Sequence, residues 1–195
     1  MTSNKMDNQI VSSDTTSDTT KVDARLLACC LKNDRQAQRQ LYEMTHQAVY
    51  RLMGRMVGLQ EASDLTQQVY LKLFSKLHQF AGNSKFETWL YRLASNEALQ
   101  YLRKHSRKKT TTLIDDPVNQ QQSVTERDEQ RELLGVALDR IEPELRSIFL
   151  LREVEEMSYR EIAKIIDVPE GTVGSRLNRA RRDLQAHLLE LGWRA

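Results

Sequence analysis

The chain has 195 residues, 39% of them hydrophobic, and a formal net charge of +2. That length suits one domain or two small ones, and that apolar content fills small cores rather than one large one. Only 7 glycines and 3 prolines argue against a turn-rich all-β fold, and no apolar run approaches membrane-spanning length, so no membrane insertion is expected.

Residues 1–22 are rich in Ser, Thr and Asp and lack an apolar core. They read as a disordered tail and not as a signal peptide. Cys29 and Cys30 are adjacent, and the four histidines are scattered. This predicts a reduced, cytoplasmic chain with no metal site and no cofactor, both cysteines being buried helix residues.

A helical block is expected over residues 23–105. Its first long pattern runs past Asp34, with Ala37, Leu41, Met44, Ala48, Leu52 and Met56 inward, and stops at Gly58. A second starts near Glu61 and turns Ala62, Leu65, Val69, Leu73 and Leu77 inward. Its outer arc carries Asp64, Gln67, Gln68, Leu71, Lys72 and Ser75. A third starts at Ser84, where Ser84 and Glu87 have the spacing of a capping box. It buries Phe86, Leu90, Leu93, Ala94, Ala98 and Tyr101, and sets Trp89 on one side with Arg92, Asn96 and Arg103. A tryptophan among polar and basic residues is either a stacking platform for unpaired bases or a ring half-buried against a neighbouring helix. Stacking is worth ~1–3 kcal/mol per base.

Periodicity collapses over residues 106–126, which read as a linker. Fully extended, about 20 residues reach about 65 Å, roughly 20 base pairs of duplex at ~3.4 Å each. A second helical block fills residues 127–195. Leu133, Leu134, Ala137, Leu138 and Ile141 form one helix ending before Pro143, and Leu145, Ile148, Phe149 and Leu151 form the next.

A helix-turn-helix follows. Ser158 and Glu161 have capping-box spacing, worth ~1 kcal/mol, and Pro169 suits the first turn of the next helix. On that helix Val173, Leu177, Ala180 and Leu184 share one face. The opposite face shows Gly171, Thr172, Ser175, Asn178, Arg179 and Arg182. Small and hydroxyl residues permit close approach to base edges, and arginines reach bases or phosphates. Among them Arg179 is the candidate base reader, while Arg160 and Arg176 suit phosphates. The alternative is a solvated face on a packing helix. The modest net charge, with acidic runs at Glu126–Glu129 and Glu153–Glu156, predicts weak DNA binding by the chain alone.

Three segments carry a family resemblance. Ile148–Val154 through Arg182 resembles region four of bacterial extracytoplasmic-function (ECF) sigma factors. Phe86–Asn96 resembles their region two, and Asp64–Tyr70 their polymerase-binding helix. The motifs occur in the family's order and span nearly everything after the tail. The resemblance implies an all-α fold of two small domains on a flexible linker, the second a helix-turn-helix. It implies a promoter-specificity subunit that is not itself an enzyme, with core RNA polymerase and promoter DNA as partners and an anti-sigma factor as a further one.

By the same resemblance, Asp64, Gln67, Gln68, Leu71 and Lys72 dock polymerase. Lys85, Trp89, Arg92, Asn96, Arg103 and Lys104 capture and melt the minus-ten element. Arg160, Gly171, Thr172, Ser175, Arg176, Asn178, Arg179 and Arg182 contact the minus-thirty-five element. The chain departs from the family at Gln68, where glutamate is usual, at Ser95, where arginine is frequent, and at Glu156 and Asp167, where glycine is common. The competing readings are a dimeric helix-turn-helix regulator acting without polymerase, a nucleic-acid enzyme and a helical adaptor. The enzyme would need clustered carboxylates, metal ligands or a nucleophile–base pair, and the sequence offers none.

Overall fold

The computed structural model describes residues 22–109 and 126–193, and every described element is helical. The helices are α1 (Ala24–Leu31), α2 (Arg35–Val57), α3 (Leu59–Lys76), α4 (Phe86–Lys109), α5 (Glu126–Arg140), α6 (Pro143–Glu153), α7 (Tyr159–Ile166) and α8 (Glu170–Glu190), with a single 3-10 turn at Leu77–Gln79. The expected tail, residues 1–22, falls almost wholly outside the described residues, as does most of the expected linker. The described part of α4 continues to Lys109, beyond the expected end of the first block.

Helices α2, α3 and α4 pack on one another, and α1 lies against α2. Asp34 starts α2 as expected, its Oδ1 accepting from the amides of Gln36 and Ala37. Gly58 joins α2 to α3 at φ 91° and ψ 158°, a backbone region essentially reserved for glycine. The expected arcs of α3 and α4 are largely inward, with Ala62, Leu65, Val69, Leu73, Phe86, Leu90, Ala94 and Ala98 all buried.

On α2 the buried stripe is wider than expected. Met44 and Ala48 are half-buried, and Thr45 and Val49 lie in the core. Thr45 can be there because its Oγ1 reaches the Leu41 carbonyl and the Tyr70 hydroxyl, each at 2.7 Å.

Three local expectations fail. Ser84 makes no capping box. Its hydroxyl donates to the Lys85 carbonyl, and α4 begins only at Phe86, with the Trp89 amide bonding the Lys85 carbonyl. Pro169 precedes the first turn of α8 rather than occupying it. Of the two cysteines only Cys30 is buried, because adjacent helical positions point about 100° apart and α1 presents one face to α2.

Helices α5 to α8 form the second set, with α6 and α7 packed on each other and both against α8, and α5 against α8. Ala137, Leu138, Ile141, Leu145, Ile148, Ile162, Ile165, Val173, Leu177 and Ala180 fill the core. Leu134 stays exposed. The two sets are in contact: α4 packs against α7, and α2 and α4 both touch α6.

Backbone strain supplies a stability test. Glu156 and Asp167 both take positive φ, at 52° and 57°. Exposed Glu156 pays for a left-handed conformation that glycine adopts freely, so Glu156→Gly should stabilise the chain by about 1 kcal/mol in denaturant titration. Gly58→Ala should cost about 1–3 kcal/mol.

Candidate nucleic-acid interface

Helix α7 is set by its first turn. Ser158 Oγ accepts from the Glu161 amide at 3.3 Å, and Glu161 Oε2 accepts from the Ser158 amide at 3.0 Å. The expected capping box is therefore present. The same carboxylate meets Lys85 at 2.8 Å through Oε1. Lys85, and then the Ser158 hydroxyl and amide, hold the Glu161 carboxyl down at about 2.

The helix ends at Asp167, whose left-handed backbone lets the Val168 amide bond the Ala163 carbonyl. The chain then turns through Pro169, whose carbonyl accepts the Thr172 amide at 2.9 Å. Gly174 brings α8 close to α7, since a Cβ there would lie 3.4 Å from the Tyr159 ring.

This frame holds the outer face of α8 in the open. Gly171, Ser175, Asn178, Arg179 and Arg182 are exposed, and Thr172 is half-buried. The Ser175 hydroxyl donates to the Thr172 carbonyl at 3.0 Å. Arg179 lies 3.5 Å from Glu142 and 3.7 Å from Asp183. Arg176 is half-buried, 3.5 Å from Glu144. Arg160 and Arg182 are exposed and make no ion pair among the described residues. These exposed pairs are weak and exchangeable for phosphate.

The polar face of α4 is drawn toward the second set of helices. Asn96 and Arg103 line a small pocket with Ser95, Glu144, Ile165 and Arg176. Glu144 bridges the two arginines, reaching Arg103 at 3.2 Å. Arg92 and Lys104 remain exposed. Trp89 is half-buried in a triangle with Phe80 and Phe86, at centroid distances of 5.6 and 5.9 Å. Of the two sequence readings of that ring, packing against a neighbour is the contact present.

On α3, Asp64, Gln67 and Gln68 are exposed and Leu71 is 66% exposed. Gln67 and Leu71 border a groove of about 400 Å³ floored by Tyr42, His46, Tyr70 and Phe74. Burial pushes the Tyr70 phenol up to about 12, so it stays a neutral hydroxyl. Lys72 differs from the rest of the arc: it leans inward to Glu97 of α4 at 2.5 Å. A carboxylate that is itself almost buried captures the nearest lysine.

Sequence reasoning missed Arg146, Glu144 and Glu155. The Arg146 guanidinium is 4% exposed and donates from Nη1 to the Met56 carbonyl and to Asp139, each at 2.7 Å. The Tyr91 hydroxyl donates to Glu155. These partners lie far apart in sequence, and no local spacing announces them. Among the described residues no group of His, Cys, Asp and Glu is placed to hold a metal ion, and no helix is long and apolar enough to cross a membrane.

Comparison with known proteins adds identity to this geometry. Residues 41–108 match the model for Sigma-70 region 2, and residues 131–184 that for Sigma-70, region 4. An ECF RNA polymerase sigma-E factor from Escherichia coli K12 is 31% identical over 163 residues, covering 77% of this chain and 85% of the relative. The Haemophilus influenzae protein of the same name is 32% identical over 176 residues, covering 84% and 93%. The sigma factor RpoE from Bartonella quintana, solved in complex with the anti-sigma factor NepR, superposes with a TM-score of 0.64. It has 25% identity and covers 77% of this chain and 95% of that one.

The depressed Glu161 carboxyl fixes a pH window. Its folded value lies below the unfolded one, so its stabilisation is complete above about 4.3 and is lost as pH falls toward about 2. Glu161→Gln should flatten the fall in melting temperature between about pH 5 and about pH 2 relative to the parent. An equally steep fall in the variant would assign the acid sensitivity to other groups.

Proposed function

The chain belongs to the ECF RNA polymerase sigma factors, a sigma subunit for transcription initiation, and on that premise we propose how its surfaces divide the work. The exposed outer face of α8 reads the minus-thirty-five element. Gly171, Thr172 and Ser175 allow close approach, Asn178 and Arg179 address base edges, and Arg160, Arg176 and Arg182 hold phosphates. Lys85, Trp89, Arg92, Asn96, Arg103 and Lys104, on α4 and at its start, capture and open the minus-ten element. A cation array there offsets the few kcal/mol needed to extrude a base.

The exposed arc of α3 with its aromatic groove docks core polymerase. Leu71 supplies the apolar contact and Asp64, Gln67 and Gln68 the polar rim. Lys72 supports the arc through Glu97 rather than projecting from it. The protein performs no catalysis of its own and works in the cytoplasm, where the polymerase supplies the chemistry. An anti-sigma factor, as bound by the Bartonella relative, fits as a regulator.

The observation that carries this reading is the α8 face: seven polar or small residues on a helix whose start, turn and spacing to α7 are fixed by the Ser158–Glu161 box, Asp167 and Gly174. Reconstitution with purified core polymerase tests it. The holoenzyme should initiate at start sites that core alone does not use. Failure of core to capture the chain, or capture with no new start sites, would overturn it.

Arg179→Ala should lower holoenzyme affinity by about 5- to 100-fold and relax the preference at one base pair. Uniform weakening across all sequences would make Arg179 a phosphate contact instead. Leu71→Asp should weaken capture by core at least about tenfold while leaving the melting temperature unchanged, since the side chain is exposed.

A further inference from the structure

Leu71, the apolar docking contact of α3, and Asn96, on the polar face of α4, each have a neighbour in sequence that turns inward, and those two neighbours meet. We propose that Lys72 and Glu97 are a positioning pair for minus-ten recognition: Lys72, although carried by the polymerase-docking helix, acts through Glu97 to hold Asn96 in place and is not a docking contact. The inference rests on reading α4 as the minus-ten helix and α3 as the docking helix.

Glu97 occupies a position where the helical pattern of α4 asks for an apolar residue. Leu90, Ala94, Ala98 and Tyr101 share its arc, and the first three are buried. Glu97 itself is 9% exposed. A carboxylate in such a place needs a cation. Among the described residues it meets one, the Lys72 ammonium, with Nζ 2.5 Å from Oε1. The residues beside the pair face outward, Leu71 on α3 and Asn96 on α4. Asn96 carries both a donor and an acceptor, the combination that reads a base edge.

Net stability is a poor reason for such a pair. Apolar residues of the same volume would serve packing as well, whereas a buried carboxylate deprived of its cation is costly. Turning α4 so that Glu97 meets water relieves that cost. Asn96 is the preceding residue of the same helix and turns with it. A side-chain tip lies about 6 Å from the helix axis, so a rotation of about 10° moves it about 1 Å. A base-edge hydrogen bond spans about 2.7–3.2 Å, and that displacement breaks it. Arg92 and Arg103 have long, rotatable side chains that follow a phosphate through the same movement. Base preference is therefore lost before general affinity for DNA.

The test uses the full chain with purified core polymerase in excess and a library of randomised single-stranded DNA. Sequencing the DNA bound by holoenzyme gives the base preference at each position. Asn96→Ala identifies the position that Asn96 reads. Glu97→Gln keeps the size and hydrogen-bonding capacity of the side chain. It should lower the preference at that position by about 5- to 100-fold. Preferences elsewhere, and capture by core, should stay within about twofold of the parent. Adding Asn96→Ala to Glu97→Gln should cost nothing further, because both remove the same contact. Lys72→Met should lose the same preference at the same position, and Lys72→Arg, which keeps the cation, should retain it.

An unchanged preference in either Glu97→Gln or Lys72→Met would overturn the proposal. So would even weakening across the library, or a loss that adds to that of Asn96→Ala, since either result makes the pair a packing element. Loss of capture by Lys72→Met with every preference intact would return Lys72 to the docking surface and overturn it too. If Asn96→Ala itself changes no preference, the assignment of α4 to the minus-ten element fails, and the role of the pair falls with it.

Discussion

Arg146 carries a positive charge to a place where only 4% of its surface meets water. Burial lowers its affinity for the proton, but an arginine so far from neutrality remains charged. The charge is tolerated because Nη1 donates to the carboxylate of Asp139 and to the carbonyl of Met56 in the last turn of α2, and Nη2 donates to the Ile141 carbonyl at 3.4 Å. A helix end carries unsatisfied carbonyls and a partial negative charge, so a guanidinium from the second helical set completes a need left open by the first. A buried ion of this kind adds little net stability, but removing an oxygen partner would leave an uncompensated buried charge. The α2–α6 contact depends on that pairing, and the α4–α7 contact lies alongside it.

Charge complementarity organises the rest of the interface. The acidic residues of the second helical set do more than offset its arginines in the total. Glu144 occupies two cations at once, and Glu161 serves its own helix start and Lys85 together. A net charge of +2 therefore hides two cationic surfaces that are locally quenched by acids from the same chain. An external anion approaching Lys85, Arg103 or Arg176 has to compete with these internal partners, and salt screens internal and external pairs alike.

The fold was legible where the physics is local. Helical periodicity located the apolar arcs of α3, α6 and α8, and the Ser158–Glu161 spacing located the start of α7. The same spacing at Ser84–Glu87 misled, because the chain enters α4 two residues later and the serine hydroxyl finds a closer carbonyl. Thr45 escaped notice because a threonine on a helix reads as surface until a distant tyrosine is seen to pair with it. The exposed faces of α3 and α8 were readable as polar residues opposite an apolar stripe. Lys72 was misplaced within its arc because its partner, Glu97, lies on another helix. The interface between the two sets was invisible for the same reason. Tyr91 and Glu155, or Met56 and Arg146, are separated by more than half a domain of sequence and share no pattern that one segment could reveal.

Gly58 sits two residues beyond the carbonyl that receives Arg146, and immediately before Leu59, which begins α3 and is 73% exposed. Its backbone geometry sets the elbow at which α2 hands over to the helix bearing the aromatic groove. One position thus bears on both the Arg146 anchor at the end of α2 and the pitch of the outward-facing groove. A substitution there would therefore disturb two distant surfaces through a single bend of the backbone.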